Sequence, residues 1–169
     1  ALLQDLEEMS TLVADLLESE RLGQGHAALH RETVDLAQLV EETAPGAELV
    51  LEGPLEPLSL DRARMRLLLR NLVGNAWRHG GAERRPVVRL ARKGREVVLA
   101  VRDFGPGVDE AVLARLSEPF YRADAARQRT TGGVGLGLYL CRLVAQAHGG
   151  RLELRNASPG LEARVVLPA

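Results

Sequence analysis

The sequence predicts an α+β fold, a two-layer α/β sandwich in which one sheet is covered on one face by helices, preceded by an N-terminal amphipathic helix. Three observations predict it. Apolar residues recur at helical spacing over residues 1 to about 22 and again over 62–79. Short strand-like runs punctuated by turn residues recur in the rest of the chain, most clearly at 86–92 and 96–102 around Lys93-Gly94. The chain, at 169 residues, has the size of one domain, and a domain of that size buries roughly 70% of its unfolded surface without staples.

In chain order, Leu2, Leu6, Met9, Val13 and Leu16 alternate spacings of four and three, which is a heptad seam. Leu3, Leu12 and Leu17 widen it, and Asp5, Glu7, Glu8, Asp15 and Glu18 lie on its wet side. So wide a stripe suits either packing on its own domain or one arm of a helical bundle, and Gly23 and Gly25, which separate this helix from the rest of the chain, favour the bundle. The organisation expected is therefore helix and linker over 1–30 and a folded domain over 31–169. Residues 31–34 read as a short strand, and 35–44 as a helix capped by Asp35 and closed before Pro45. Strands at 48–52 and 57–60 flank a Pro-rich turn. Asp61 caps a helix over 62–79 with Met65, Leu68, Leu69, Leu72, Val73 and Ala76 inward. After the 86–102 hairpin come a Gly/Pro turn at 103–107, a short helix near 109–116 and a mobile loop over 119–134. A helix over 135–148 comes next, ended by Gly149-Gly150, and then strands at 151–156 and 161–167.

Composition bounds the function. With 46% apolar and 27% charged residues the chain is globular rather than disordered. A net charge of −1 gives no electrostatic case for nucleic acid or anionic membrane, and one cysteine, Cys141, makes neither an internal disulfide nor a metal cluster. No apolar run reaches the ~18 residues of a membrane span. The chain opens without Met and in mid-pattern, as an excised fragment does.

Three segments hold residue types suited to chemistry. In Asn71-Leu72-Val73-Gly74-Asn75-Ala76-Trp77-Arg78-His79, Asn71 and Asn75 stand one helical turn apart and Arg78 lies further along the same face. Amide oxygens are hard neutral ligands suited to Mg²⁺, with Arg78 and His79 placed for phosphates; the plainer reading is a solvated face ending in a His79-Gly80 cap. In Asp103-Phe104-Gly105-Pro106-Gly107, an acid at a strand end with glycines after it can accept from an exocyclic amine such as adenine's, or be an ordinary turn. In Gly132-Gly133-Val134-Gly135-Leu136-Gly137-Leu138, glycines lead into a helix, as a phosphate-binding loop or a flexible hinge. That run lacks the Lys-Ser/Thr of a Walker A loop and is preceded by no strand, so it is not a dinucleotide fingerprint either.

Taken in order, the three segments resemble the Bergerat-fold ATP-binding domain of bacterial two-component sensor histidine kinases. Glu118-Pro119-Phe120-Tyr121-Arg122 fits that family's phenylalanine box at the start of an ATP lid, and His148-Gly149-Gly150 fits its usual helix end. The match runs through 61–168, and the first 44 residues are similar to the second helix of the family's dimerisation bundle with a linker. The resemblance implies Mg²⁺ on Asn75 with Asn71 beside it, and phosphates on Arg78 and His79, the latter standing where many members carry tyrosine. It implies adenine on Asp103, a pocket shaped by Gly105 and Gly107, and a lid anchored by Phe120. It further implies that Gly133, Gly135, Leu136 and Gly137 place the lid's end and the helix N-terminus against the triphosphate. Arg122, Arg127 and Arg129 lie in or beside the lid as surface arginines or ATP contacts.

Asn71 separates relatives within that superfamily. Gyrase, chaperone and mismatch-repair ATPases carry glutamate there as a base for water, whereas an amide has no useful basicity. The resemblance thus implies a site that holds ATP for another nucleophile, a histidine on a bundle helix, with relay to an aspartate of a response-regulator receiver domain. His26 and His30 lack the flanking acid and proline of that phosphoacceptor motif, so the acceptor is expected outside this fragment. Gly160-Leu161-Glu162-Ala163 departs from the family's usual threonine and puts one adenine-side contact in question. The fragment is expected to be cytoplasmic and open to homodimerisation, its full-length protein anchored in the inner membrane by segments outside it. The competing readings are a non-catalytic interaction module that keeps the fold and an anti-sigma-type serine kinase.

Overall fold

The computed structural model of the chain describes residues 1–23, 29–81, 83–121 and 136–169. Helix α1 (Leu2–Gly23) leads into strand β1 (Arg31–Val34), helix α2 (Leu36–Thr43), strands β2 (Glu48–Glu52) and β3 (Leu58–Asp61), and the long helix α3 (Arg62–His79). Strands β4 (Val87–Lys93) and β5 (Glu96–Arg102) come next, then helices α4 (Glu110–Leu113) and α5 (Gly137–Ala147), and strands β6 (Arg151–Asn156) and β7 (Leu161–Pro168).

The five-stranded sheet has the order β2-β4-β5-β7-β6, antiparallel throughout except for the β2–β4 pair. A parallel pair needs a long crossover, and α3 lies within it. Strands β2 and β3 flank the Pro-rich turn, as expected, but they do not pair with each other. Instead β3 joins β1 in a separate two-stranded ribbon, with Val34 opposite Leu58 and both buried. The connector over 53–57, with Pro54 and Pro57, is not a tight hairpin loop, so each strand finds a different partner.

Side-chain alternation assigns the two sheet faces. Val88, Leu90, Val97, Leu99, Val101, Val165 and Leu167 point inward against Met65, Leu68, Leu69, Leu72, Val73 and Ala76 of α3 and Cys141, Val144 and Ala145 of α5. The opposite face has a small cluster of Val98, Ala100 and Val166. Ion pairs overlie it, among them Arg89–Glu52 at 2.9 Å and Arg155–Glu162 at 2.7 Å. This is the expected two-layer sandwich. Helix α2 buries Leu36, Leu39 and Val40 in the same core.

Helix α1 forms over the heptad pattern, yet most of the seam faces solvent. Leu2, Leu3, Leu6, Met9, Val13, Leu16 and Leu17 are all exposed. Its C-terminal half meets the domain, where Leu22 is buried and Glu18 lies 3.2 Å from the buried Arg64 of α3.

The α3 N-terminus is a polar hub inside the core. Asp61 caps the helix, its Oδ1 accepting from Arg64 N at 3.2 Å and its Oδ2 from His30 N at 3.1 Å. Its own backbone N–H donates to His148 Nε2 at 3.0 Å, and His148 Nδ1 donates to Val144 O at 2.8 Å. The imidazole is thus neutral, with both nitrogens used, and burial lowers its pKa below the usual histidine value. In the unfolded chain the ring protonates near pH ~6.5, whereas in the folded protein it resists protonation until lower pH, so the unfolded state binds more protons in between. Stability contributed here is full above pH ~6.5 and is lost as pH falls through the depressed folded pKa. Melting temperature is expected to decline below pH ~6.5, and His148→Gln is expected to flatten that part of the profile. A His148→Gln profile with the parent's slope contradicts this assignment.

Candidate functional site

The candidate residues come from three elements, with α3 touching the N-terminus of α5 at Asn71 and Asn75 and the C-terminal end of β5 at its own last turn. On α3, Asn71 is half-buried and its Nδ2 donates to Leu67 O at 2.9 Å, which leaves its oxygen facing α5. A Cβ on Gly137, the first residue of α5, would stand 2.8 Å from Asn71 Oδ1 and 3.8 Å from Asn75 Nδ2. The two amides and the α5 N-terminus are therefore packed closely together, an approach that residue 137 permits because it has no side chain. Asn75 Oδ1 accepts from Arg78 Nη2 at 2.6 Å, so this amide oxygen already faces a cationic group. By donor chemistry alone, neutral amide oxygens of this kind suit Mg²⁺, an ion that keeps waters and shares phosphate oxygens. Leu136 precedes α5 with no side-chain cap, so the first-turn N–H groups of this helix are not claimed by a capping side chain.

Asp103 closes β5 and is 6% exposed. Its Oδ1 accepts from Gly105 N at 3.0 Å and from Leu161 N at 3.1 Å, while its backbone N–H donates to Leu161 O at 3.0 Å. No described residue donates to Oδ2, which leaves one carboxylate oxygen for an outside donor. The end of α3 presses on this turn, since a Cβ on Gly105 would lie 2.2 Å from His79 O and one on Gly80 2.6 Å from Asp103 Cβ. Asp103 is thus carried next to the end of the helix that bears Asn75, Arg78 and His79. Gly107 packs on Asn156, whose Oδ1 accepts from Val108 N at 3.0 Å and whose Nδ2 donates to Val108 O.

Asn71, Asn75, Asp103, Gly105, Gly107 and Gly137 are thereby placed around one end of the sandwich. Phe120 stands 59% exposed at φ +64. Arg122, Arg127, Arg129, Gly133 and Gly135 lie outside the described residues. Sequence reasoning missed Asn156 and took Gly160 only as part of a departure from pattern. Gly160 has φ +90, and a Cβ there would lie 2.0 Å from Asp103 O. Its neighbour Leu161 is what fixes the carboxylate, through backbone groups that no side-chain motif reports.

A cleft of about 170 Å³ lies elsewhere, on the open face of the sheet, lined by Arg84, Arg89, Arg102, Phe104 and Glu162 among others. It is backed by the same turn but faces away from the asparagines.

The family comparison makes this sandwich a nucleotide-binding domain of ATPase type. The family model for histidine kinase-, DNA gyrase B- and HSP90-like ATPases matches residues 60–169, and the chain belongs to that family. Within it, the chain is the ATP-binding catalytic domain of the sensor histidine kinase branch. It is 36% identical over 166 residues to the signal transduction histidine-protein kinase AfsQ2 of Streptomyces coelicolor, covering 92% of this chain and 30% of that protein. It is 38% identical over 170 residues to the sensor histidine kinase MtrB of Mycobacterium tuberculosis, covering 90% of this chain and 29% of that one. Among solved structures, full-length ShkA in complex with AMPPNP superposes at a TM-score of 0.77 with 29% identity, covering 94% of this chain and 35% of ShkA. The chain thus spans about a third of the length of these relatives. No helix among the described residues is long and apolar enough to cross a membrane.

Proposed function

We propose that this domain binds Mg·ATP between the C-terminal half of α3, the β5 end and the α5 N-terminus, and holds it for transfer to a histidine. The Oδ2 of Asp103, which no described residue engages, carries the reading, because a buried acceptor left without a donor selects a base that offers an amine. Asp103 accepts from the adenine amine, and Gly105 and Gly107 let the base approach the backbone. Asn75 and Asn71 hold the ion with their amide oxygens; Mg²⁺ when bound neutralises charge on the β- and γ-phosphate oxygens. Arg78 swings from Asn75 to the phosphates, joined by His79 and by the α5 N–H groups at Leu136–Gly137. Phe120, Gly133 and Gly135 contribute to nucleotide binding.

Asn71 cannot take a proton from water, so hydrolysis is slow and the triphosphate persists. The nucleophile is an imidazole nitrogen of a histidine on a bundle helix outside this chain. Its lone pair attacks the γ-phosphorus in line, the bond to the β–γ bridging oxygen breaks, and ADP leaves with that electron pair. Residues 1–30 act as the second bundle helix and linker and 31–169 as the catalytic domain. The exposed seam of α1 is the surface for a homodimeric bundle, and a response-regulator receiver domain takes the phosphoryl group from the histidine. With Mg·ATP and a supplied histidine-bearing bundle helix, acid-labile phosphate is expected on that helix together with little free phosphate. Free phosphate released without any label on the helix overturns the assignment.

A further inference from the structure

Part of the grip on Asp103 comes from the neighbouring strand β7, through the backbone N–H of Leu161. Arg102 precedes Asp103 and so points to the opposite face of β5. Its Nη2 donates to Ala157 O at 3.2 Å and to Pro159 O at 3.1 Å, tying down the turn between β6 and β7. Its guanidinium carbon sits 4.6 Å from the centroid of the Phe104 ring, and Arg84 lies 3.7 Å from that same ring. The pinned turn ends in Gly160-Leu161, whose backbone lies against Asp103 and supplies the N–H that holds Oδ1 at 3.1 Å.

We propose that Arg102, braced by Phe104, is a positioning residue for base recognition: it fixes the β6–β7 turn so that Leu161 orients the Asp103 carboxylate with Oδ2 toward the base. The inference rests on the adenine reading of Asp103. Arg102 touches no nucleotide itself, and its effect passes through two carbonyls, one turn and one amide. Arg84 adds charge beside the ring from the β4 side, and Glu162, paired with Arg155 at 2.7 Å, is the carboxylate opposite Arg102 in the sheet register. Arg102 carries the link because it alone of these groups is joined to both carbonyls of the turn.

A merely structural arginine lowers stability and weakens every nucleotide alike. A positioning arginine changes which base is preferred, because adenine offers a donor at C6 where guanine offers an acceptor. The experiment is calorimetric titration of the whole chain with Mg·AMPPNP and Mg·GMPPNP, read as the ratio of the two dissociation constants. Arg102→Met keeps the stem and loses the hydrogen bonds, and is expected to narrow the ratio by about fivefold. Phe104→Leu is expected to move it the same way by less, and Arg102→Lys to recover part of the loss. A ratio in Arg102→Met within about twofold of the parent, while Asp103→Ala collapses it, overturns the positioning role and leaves the adenine reading standing. A ratio that Asp103→Ala itself leaves unchanged overturns the adenine reading, and this inference with it.

Discussion

Gly160→Ala is expected to cost about 3 kcal/mol or more of stability, and with it nucleotide binding. At φ +90 any β-carbon is strained, and the one built here would sit 2.0 Å from Asp103 O and 2.8 Å from Asp103 Oδ1. A left-handed backbone costs roughly 1–2 kcal/mol for an L residue, and forced overpacking about 1–3 kcal/mol more. The neighbour at 2.0 Å is the backbone of Asp103, just past the end of the central strand β5, and it cannot rotate away as a side chain could, so the end of the β5–β7 pairing at Arg102–Glu162 must open. For a domain this size the melting temperature is expected to fall by about 10 °C. A Gly160→Ala protein that melts like the parent and still binds Mg·AMPPNP contradicts the close approach on which the aspartate's grip depends.

Asn75→Ala is expected to show the reverse separation, a loss of binding without loss of fold. Asn75 is half-buried, its side-chain oxygen bonds to the exposed Arg78, and alanine is the better helix former. Melting is expected to change little. Affinity for AMPPNP in Mg²⁺ is expected to fall by at least about tenfold, while the weak affinity in EDTA stays the same. The two curves of the variant should therefore approach each other. Equal Mg²⁺ dependence in parent and variant removes Asn75 from the metal site.

The particular residues show what the chain makes legible. Asp35 and Asp61 declare their helices because capping is local: each carboxylate accepts from an N–H three residues on, at 3.1 and 3.2 Å. The inner face of α3 is legible from spacing, and so is the Lys93-Gly94 hairpin, where Lys93 pairs with Glu96. The partner of β2 is not, since strand composition carries no address and the choice between β3 and β4 depends on the crossover. The seam of α1 is legible as periodic, but its exposure is not, because periodicity states that a face wants covering and says nothing of what covers it.

The candidate site divides the same way. Asn71, Asn75 and Asp103 stand out as polar residues where burial is the rule. The groups that set Asp103, the Leu161 backbone and the approach of Gly160, sit nearly sixty positions downstream (58 from Asp103 to Leu161) and carry no side-chain signal. Arg102 at a strand end reads as ordinary surface until the turn it holds is seen from the open face.

The measurement that bears most directly on the proposed Mg·ATP site is an amide-resolved NMR titration of the unmodified chain with AMPPNP, with and without Mg²⁺. Saturable shifts at Asp103, Gly105, Gly107 and Leu161 in both conditions, joined by Asn71, Asn75 and Gly137 when Mg²⁺ is present, are the predicted result. Shifts confined to the open-face cleft around Arg84 and Arg89, or none at millimolar nucleotide, would contradict it.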